Sequence, residues 1–275
     1  MIREVLALLR KQLIESKWML GASAASFFGL SVLTVWLAWR FERLMAEGDF
    51  ATNSRRFRPV QALGGPAMDF STTALEVCWW NHPVIVLTLL SWAISRGANS
   101  IAGEIERGTI DVTLSRPVTR SGYLVSQVAF VLLGLLTLAG CLIAGNMAGH
   151  LFYTLKSPPT ILTLAKPATM VVALGLAVFG CTVPFSACDV VRWRPTLFST
   201  AILLAGLVSL SVAAQFPDYQ WYLERLSVFQ AYAPVTVAIE GEPLAYNTMV
   251  LLIVFGVGTA LALILFARRD LPSNS

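Results

Sequence analysis

Six long apolar stretches run through this chain, most of them joined by short polar connections. A helix needs about 20 mostly apolar residues to cross a bilayer, and each run is close to or above that length. In hydrocarbon every backbone N–H and C=O must be paired inside the protein, so such segments can only be helices or strands of a closed barrel. Barrel strands alternate apolar and polar residues in segments of about 10. These runs are continuous instead, which selects helices. Charge agrees, since only 13% of residues are charged, against roughly 25% in soluble domains.

The spans are expected at 18–39, 78–94, 123–151, 168–185, 196–214 and 247–267, forming one all-α integral membrane domain over 1–275. Trp18, Trp36 and Trp39 flank the first span and Trp79 and Trp80 open the second, as an interfacial aromatic belt does. Ahead of them, Ile2, Val5, Leu6, Leu9 and Leu13 recur at helical spacing with Arg3, Arg10 and Lys11 between. That pattern predicts an amphipathic helix over 1–17, lying on the membrane surface. The first apolar run reaches Trp39, beyond the length of a signal peptide's apolar region, and no small-residue cleavage site follows, so uncleaved insertion is expected. Residues 40–77 hold Arg40, Arg43, Arg55, Arg56 and Arg58 against Glu42, Glu47, Asp49, Asp69 and Glu76, a neutral loop long enough to fold as a small extracytoplasmic element. Residues 215–246 read as one or two short amphipathic helices at the interface.

Six spans put both termini on one side. Lys and Arg accumulate there, and the net charge is positive on that side and slightly negative on the other, which makes the termini cytoplasmic. The overall charge of +4 therefore reflects orientation, and nucleic acid is not expected as a partner. The expected location is the inner or plasma membrane, multi-pass.

Several chemistries find no support. A P-loop needs Gly-Lys-Ser/Thr to hold phosphates, yet none of the four lysines (Lys11, Lys17, Lys156, Lys166) follows a glycine. Any ATP-driven work therefore needs a partner chain. His82 and His150 are the only histidines, and no Ser/His/Asp arrangement accompanies them, so no catalytic residue is assigned and no enzyme activity is expected. Cys78, Cys141, Cys181 and Cys188 lack CxxC spacing and read as buried thiols rather than a metal site. The spans hold no run of carboxylates, which argues against a proton relay. Asn146 and His150, four apart on one helix face, either line a pathway or make an interhelical hydrogen bond. Gly145 and Gly149 form a GxxxG, a spacing that permits close helix packing.

One polar connection is ordered in its chemistry. Residues 103–120 read GEIERGTIDVTLSRPVTR, with Glu104, Glu106, Arg107, Gly108, Thr109 and Asp111 at one end and Arg116, Pro117 and Arg120 at the other. The charge count places it in the cytoplasm, where it reads as a docking surface or as an ordinary basic loop. The segment resembles the membrane subunit of type-2 ABC exporters (the ABC-2 permease family), in which a segment between the second and third spans reads roughly E-x-x-x-G-T-[IL]-x-x-x-L-[ST]-x-P-[VI]-[ST]-R. Glu104, Gly108, Thr109, Ile110, Leu114, Ser115, Pro117, Val118, Thr119 and Arg120 stand at those places. The ending Phe266-Ala267-Arg268-Arg269-Asp270-Leu271 is also similar to the family's.

The resemblance implies a permease subunit of an ATP-binding cassette exporter, with 103–120 as a coupling helix that docks on a separate ATPase subunit. It also implies a second permease copy, identical or related. Asp189, Arg192 and Arg194 would form a second cytoplasmic loop. ATP and Mg would sit on the ATPase, leaving this chain without a cofactor. A different class, a non-transporting membrane anchor or sensor coupling an ATPase to an extracytoplasmic partner, shares the same features.

Overall fold

The computed structural model describes residues 2–46, 72–110, 119–240 and 244–269. Regular structure among them is entirely helical: α1 (Ile2–Ala46), α2 (Thr72–Cys78), α3 (Pro83–Ser100), α4 (Ala102–Glu106), α5 (Arg120–Phe152), α6 (Ile161–Cys188), α7 (Trp193–Ala213), α8 (Gln220–Arg225), α9 (Pro234–Glu240) and α10 (Leu244–Arg268), with short 3-10 turns at Trp79–Asn81, Pro217–Tyr219 and Val228–Ala231. Helices α1, α5, α6, α7 and α10 are long and apolar enough to cross a membrane. A sixth span exists if α2 and α3, which bend by 49° at Asn81–Pro83, count as one. The bend follows from Pro83, which begins α3 and cannot continue the preceding helix; the His82 ring caps α3 by accepting the Val84 N–H at 3.3 Å.

The expected surface helix and first span are a single uninterrupted helix, α1. No proline falls in 2–46, and the Ser16 hydroxyl bonds back to the Gln12 carbonyl. Gln12 and Ser16 are buried, and the Gln12 amide reaches Ser126 on α5. The start of α1 therefore spends part of its inner face on a neighbouring helix. Helix α1 also extends to Ala46 and α2 begins at Thr72, so both ends of the expected 40–77 loop are helical; its middle lies outside the described residues. Likewise the polar stretch 95–100 is the last part of α3.

Two parallel helix pairs organise the bundle. Helices α1 and α5 stay in one register, with partners 114 residues apart from Gln12–Ser126 to Glu42–Lys156, a length of about 45 Å at the rise of an α-helix. Gly145 and Gly149 make this possible. A Cβ at Gly145 would strike the Phe28 carbonyl, and one at Gly149 would stand 2.7 Å from Val35 Cβ. The GxxxG spacing is thus a packing seam. Helices α6 and α10 pack the same way, with Gly180 and Gly258 backbone to backbone.

Helix α6 is the centre, 72% buried along its span window against 22% for α7 and 17% for α10. Thr160 caps it, accepting the Thr163 N–H at 3.3 Å. The outer faces of α7 and α10 show Leu197, Phe198, Ile202, Met249, Ile253 and Val257. These are side chains suited to lipid rather than water.

Candidate functional site

Helix α3 stops at Ile101 because a side chain on α6 takes over its backbone. Ser186 Oγ accepts the N–H groups of Ile101 (3.2 Å) and Ala102 (2.9 Å) and donates to the Ala98 carbonyl at 3.0 Å. One buried hydroxyl thus satisfies three backbone groups at a break that would otherwise leave them unpaired in the bundle. The chain then makes the five-residue α4 and closes it with Gly108 at φ +67, the left-handed position that ends helices and that glycine adopts without strain.

Glu104 is the hub of this hairpin. It is only 5% exposed, and its carboxylate accepts from Thr109 Oγ1 (2.6 Å), Arg107 Nη2 (2.7 Å) and Lys11 Nζ (3.1 Å). Burial by itself raises the Glu104 carboxyl; the hydrogen bonds from Thr109, Lys11 and Arg107 outweigh it and hold the group below the ordinary carboxylate range. Arg107 also reaches Asn99 Oδ1 at 3.4 Å, yet its side chain stays 45% exposed.

The two polar connections meet at Glu106. Its Oε2 accepts the backbone N–H of Arg192 at 3.0 Å and lies 3.9 Å from Arg192 Nε. Asp189 Oδ1 holds the turn into α7 through the N–H groups of Val190 (2.7 Å) and Val191 (3.2 Å), with Arg194 at 3.6 Å. Beside this contact a cavity of about 390 Å³ runs between α3 and α7, lined by Ser91, Ser95, Asn99, Thr196 and Thr200.

The expected docking residues divide into three groups. Glu106, Arg107 and Gly108 lie together at the end of the bundle where α1 begins and α10 ends, with Asp189, Arg192 and Arg194 adjoining. Glu104 and Thr109 turn inward and hold the hairpin. Arg120 is committed elsewhere in the fold: its Nη1 donates toward the carbonyls of Phe266 (2.9 Å), Ala267 (3.1 Å) and Arg269 (2.7 Å), capping α10. Arg269 in turn caps α6 through the carbonyls of Ala187 and Asp189, each at 2.8 Å. Both follow the preference of cations for helix C-termini. Asp111 and Arg116 lie outside the described residues.

At the opposite end the structure joins Asn146 and His150 to a residue the sequence reading left in a loop. Glu76, on α2, is fully buried. Its Oε2 accepts from Asn146 Nδ2 at 2.7 Å and stands 3.4 Å from His150 Nε2. His150 Nε2 is also 3.1 Å from Asn146 Oδ1. Of the two readings of Asn146 and His150, the interhelical hydrogen bond is present, from Asn146 to a buried carboxylate on α2. The sequence signal was there: Glu76 is the single charge in the otherwise uncharged string TTALEVCWW (72–80).

Among the described residues no group of three or more His, Cys, Asp or Glu is placed to hold a metal ion, and no disulfide forms. No family model matches the chain, and no curated protein matches it in sequence. Among the described residues all regular structure is helical, with five or six helices long and apolar enough to cross a membrane.

Proposed function

We propose that this chain is the permease subunit of an ATP-binding cassette exporter of the ABC-2 type, pairing with a second permease copy and driven by a separate ATPase subunit that docks on the 103–120 segment. One observation carries the reading. The α4–Gly108 hairpin is fastened to three spans at once: to α1 through Lys11–Glu104, to α6 through Ser186, and to the start of α7 through Glu106–Arg192. Arg107 and Glu106 meanwhile remain accessible. A push delivered to such a hairpin reaches all three helices, which is what a coupling element must do. ATP and Mg belong to the ATPase in this reading, and the termini, the hairpin and the 189–194 turn face the cytoplasm. The cavity between α3 and α7 adjoins the hairpin and would change shape with it.

The test is reconstitution of the full chain with an ATPase subunit in lipid vesicles. ATP-dependent movement of cargo across the vesicle membrane, lost together with ATPase binding in Arg107→Glu, supports the reading. ATPase binding without movement of lipid, saccharide or drug-like cargo makes the chain a membrane anchor instead. No binding at all removes the proposal.

A further inference from the structure

Helices α5, α6 and α10 leave an open groove between them, about 410 Å³ in volume. Ala139, Gly140 and Ile143 on α5, Ala168 and Val172 on α6 and Leu252 on α10 line it. Apart from Thr169 and Thr248, every lining residue is apolar. Gly140 opens its floor. A Cβ added there meets nothing within 4 Å, whereas Gly145 and Gly149 on the same helix are closed off by α1.

The length of the groove selects its occupant. On α6 the lining runs from Ala165 to Leu176, about 16 Å at the rise of an α-helix. A single leaflet of hydrocarbon is about 15 Å deep, half the thickness of the bilayer core. The groove therefore begins near one membrane face and ends near the middle, as one acyl chain does. A helix from a second copy would run the full thickness and is at least about 10 Å wide, a poor match to a slot that ends halfway.

Polar groups gather at the end where α6 and α10 begin. Thr248, in the second turn of α10, has its Oγ1 buried without a hydrogen-bond partner. A buried hydroxyl that finds no acceptor in the protein calls for one from outside it. Lys166 lies in sequence between the lining residues Ala165 and Thr169. It is exposed, and among the described residues it has no ion pair. Its apolar stem lets the ammonium reach the headgroup layer from this depth.

We propose that this groove binds one phospholipid with an anionic headgroup, taken from the leaflet where α6 and α10 begin. One acyl chain lies against Gly140, an ester carbonyl is the acceptor that Thr248 lacks, and the phosphate pairs with the Lys166 ammonium. The apolar groove holds the chain, and the lysine sets the preference for negative charge. The groove shares no residue with the 103–109 hairpin or with the cavity between α3 and α7. Lipid binding therefore stands or falls independently of the permease reading.

The test places the full chain in nanodiscs of phosphatidylcholine and phosphatidylglycerol in equal amounts. The protein is then released into mild detergent and weighed with its retained lipids by native mass spectrometry. The expected result is one phosphatidylglycerol retained per wild-type chain. Gly140→Leu fills the groove and loses that lipid. Lys166→Gln keeps a lipid but loses the preference for phosphatidylglycerol by about fivefold, the size of one lysine's attraction to an anionic surface. Gly29→Leu on α1, where the added Cβ also meets nothing within 4 Å, retains lipid as wild type does. A Gly140→Leu protein that retains phosphatidylglycerol like wild type overturns the proposal, since the lipid then belongs to the general boundary layer. So does a Lys166→Gln protein with undiminished preference. A wild type that carries no lipid and forms pairs broken by Gly140→Leu also overturns it, making the groove a contact between copies. If Gly140→Leu does not fold, Lys166→Gln, a change at an exposed side chain, still decides through the headgroup preference.

Discussion

Glu104→Gln removes one charge from the hub of the hairpin and keeps its shape. In the structure the carboxylate receives three hydrogen bonds, two of them from cations. A hydrogen bond to a charged group contributes roughly 1.5–3 kcal/mol when buried. Lys11 and Arg107 are 36% and 45% exposed, however. Water recovers most of what they lose, leaving about 0.5–1 kcal/mol for each. The Thr109 bond is short, and a Gln side chain can keep it only as a weaker neutral one. The relief of not burying a charge works the other way. The net expectation is a loss of about 2 kcal/mol.

The same reasoning fixes a pH dependence. The folded Glu104 carboxyl lies below the ordinary range, so the folded state binds its proton less tightly than the unfolded chain does. Its contribution is complete above the ordinary carboxylate pKa of about 4.3, and it disappears as pH falls through the lower folded value. Denaturant titration of the full chain in mixed micelles, at neutral and acidic pH, measures both effects. Wild type should lose the Glu104 contribution in acid, and Glu104→Gln should lack it at every pH. A variant within 0.5 kcal/mol (an order-of-magnitude bound for surface changes) of wild type at neutral pH, or one with an unchanged acid limb, would refute the account of Glu104 as an internal anchor.

Other expectations follow from single contacts. Gly145→Leu drives a side chain into the Phe28 carbonyl and should cost at least about 1–3 kcal/mol, seen as a lower melting temperature in detergent. Gly140→Leu on the same helix, with nothing within 4 Å, should melt like wild type. Ser186→Ala orphans two N–H groups at the α3–α4 break and should cost about 1–3 kcal/mol, with faster amide exchange at Ile101 and Ala102 as the local readout. Arg120→Ala removes the α10 cap. Because Nη1 has two protons for three carbonyls, about two bonds are lost, and faster proteolysis near Arg268 should report the frayed end.

The long helices were legible because an apolar run marks its own place, although α1 extends beyond 18–39 at both ends and the second run is divided by a 49° bend. Their partners were not. The spacing of Leu6, Leu9 and Leu13 is equally suited to a membrane surface or to a neighbouring helix; in the structure Leu6 and Leu13 are exposed, and it is Gln12, through Ser126, that turns to α5. Gly145 and Gly149 carry a spacing common in apolar helices; the closeness of Phe28 and Val35, more than a hundred residues earlier, gives it meaning. Arg120 matched a linear pattern, yet its three acceptors lie some 150 residues on, at the end of α10. Glu76 was assigned to a polar loop because the acids before it belong to one. The uncharged run TTAL before it and VCWW after it is what marks it as buried. Local chemistry identified the hairpin as a unit; tertiary contacts separated the residues that hold it from those it presents.

The most direct test of the permease reading is to purify the full chain from its own membrane in mild detergent and measure nucleotide hydrolysis in the complex, with wild-type protein and with Arg107→Glu. The account predicts an ATP-hydrolysing subunit that accompanies the wild type and is lost from the variant, while the variant still folds, with its melting temperature lowered only by the loss of the Arg107–Glu104 contact. A wild-type preparation with no such subunit, or an Arg107→Glu variant that retains it unchanged, contradicts the claim that this hairpin couples an ATPase to the spans.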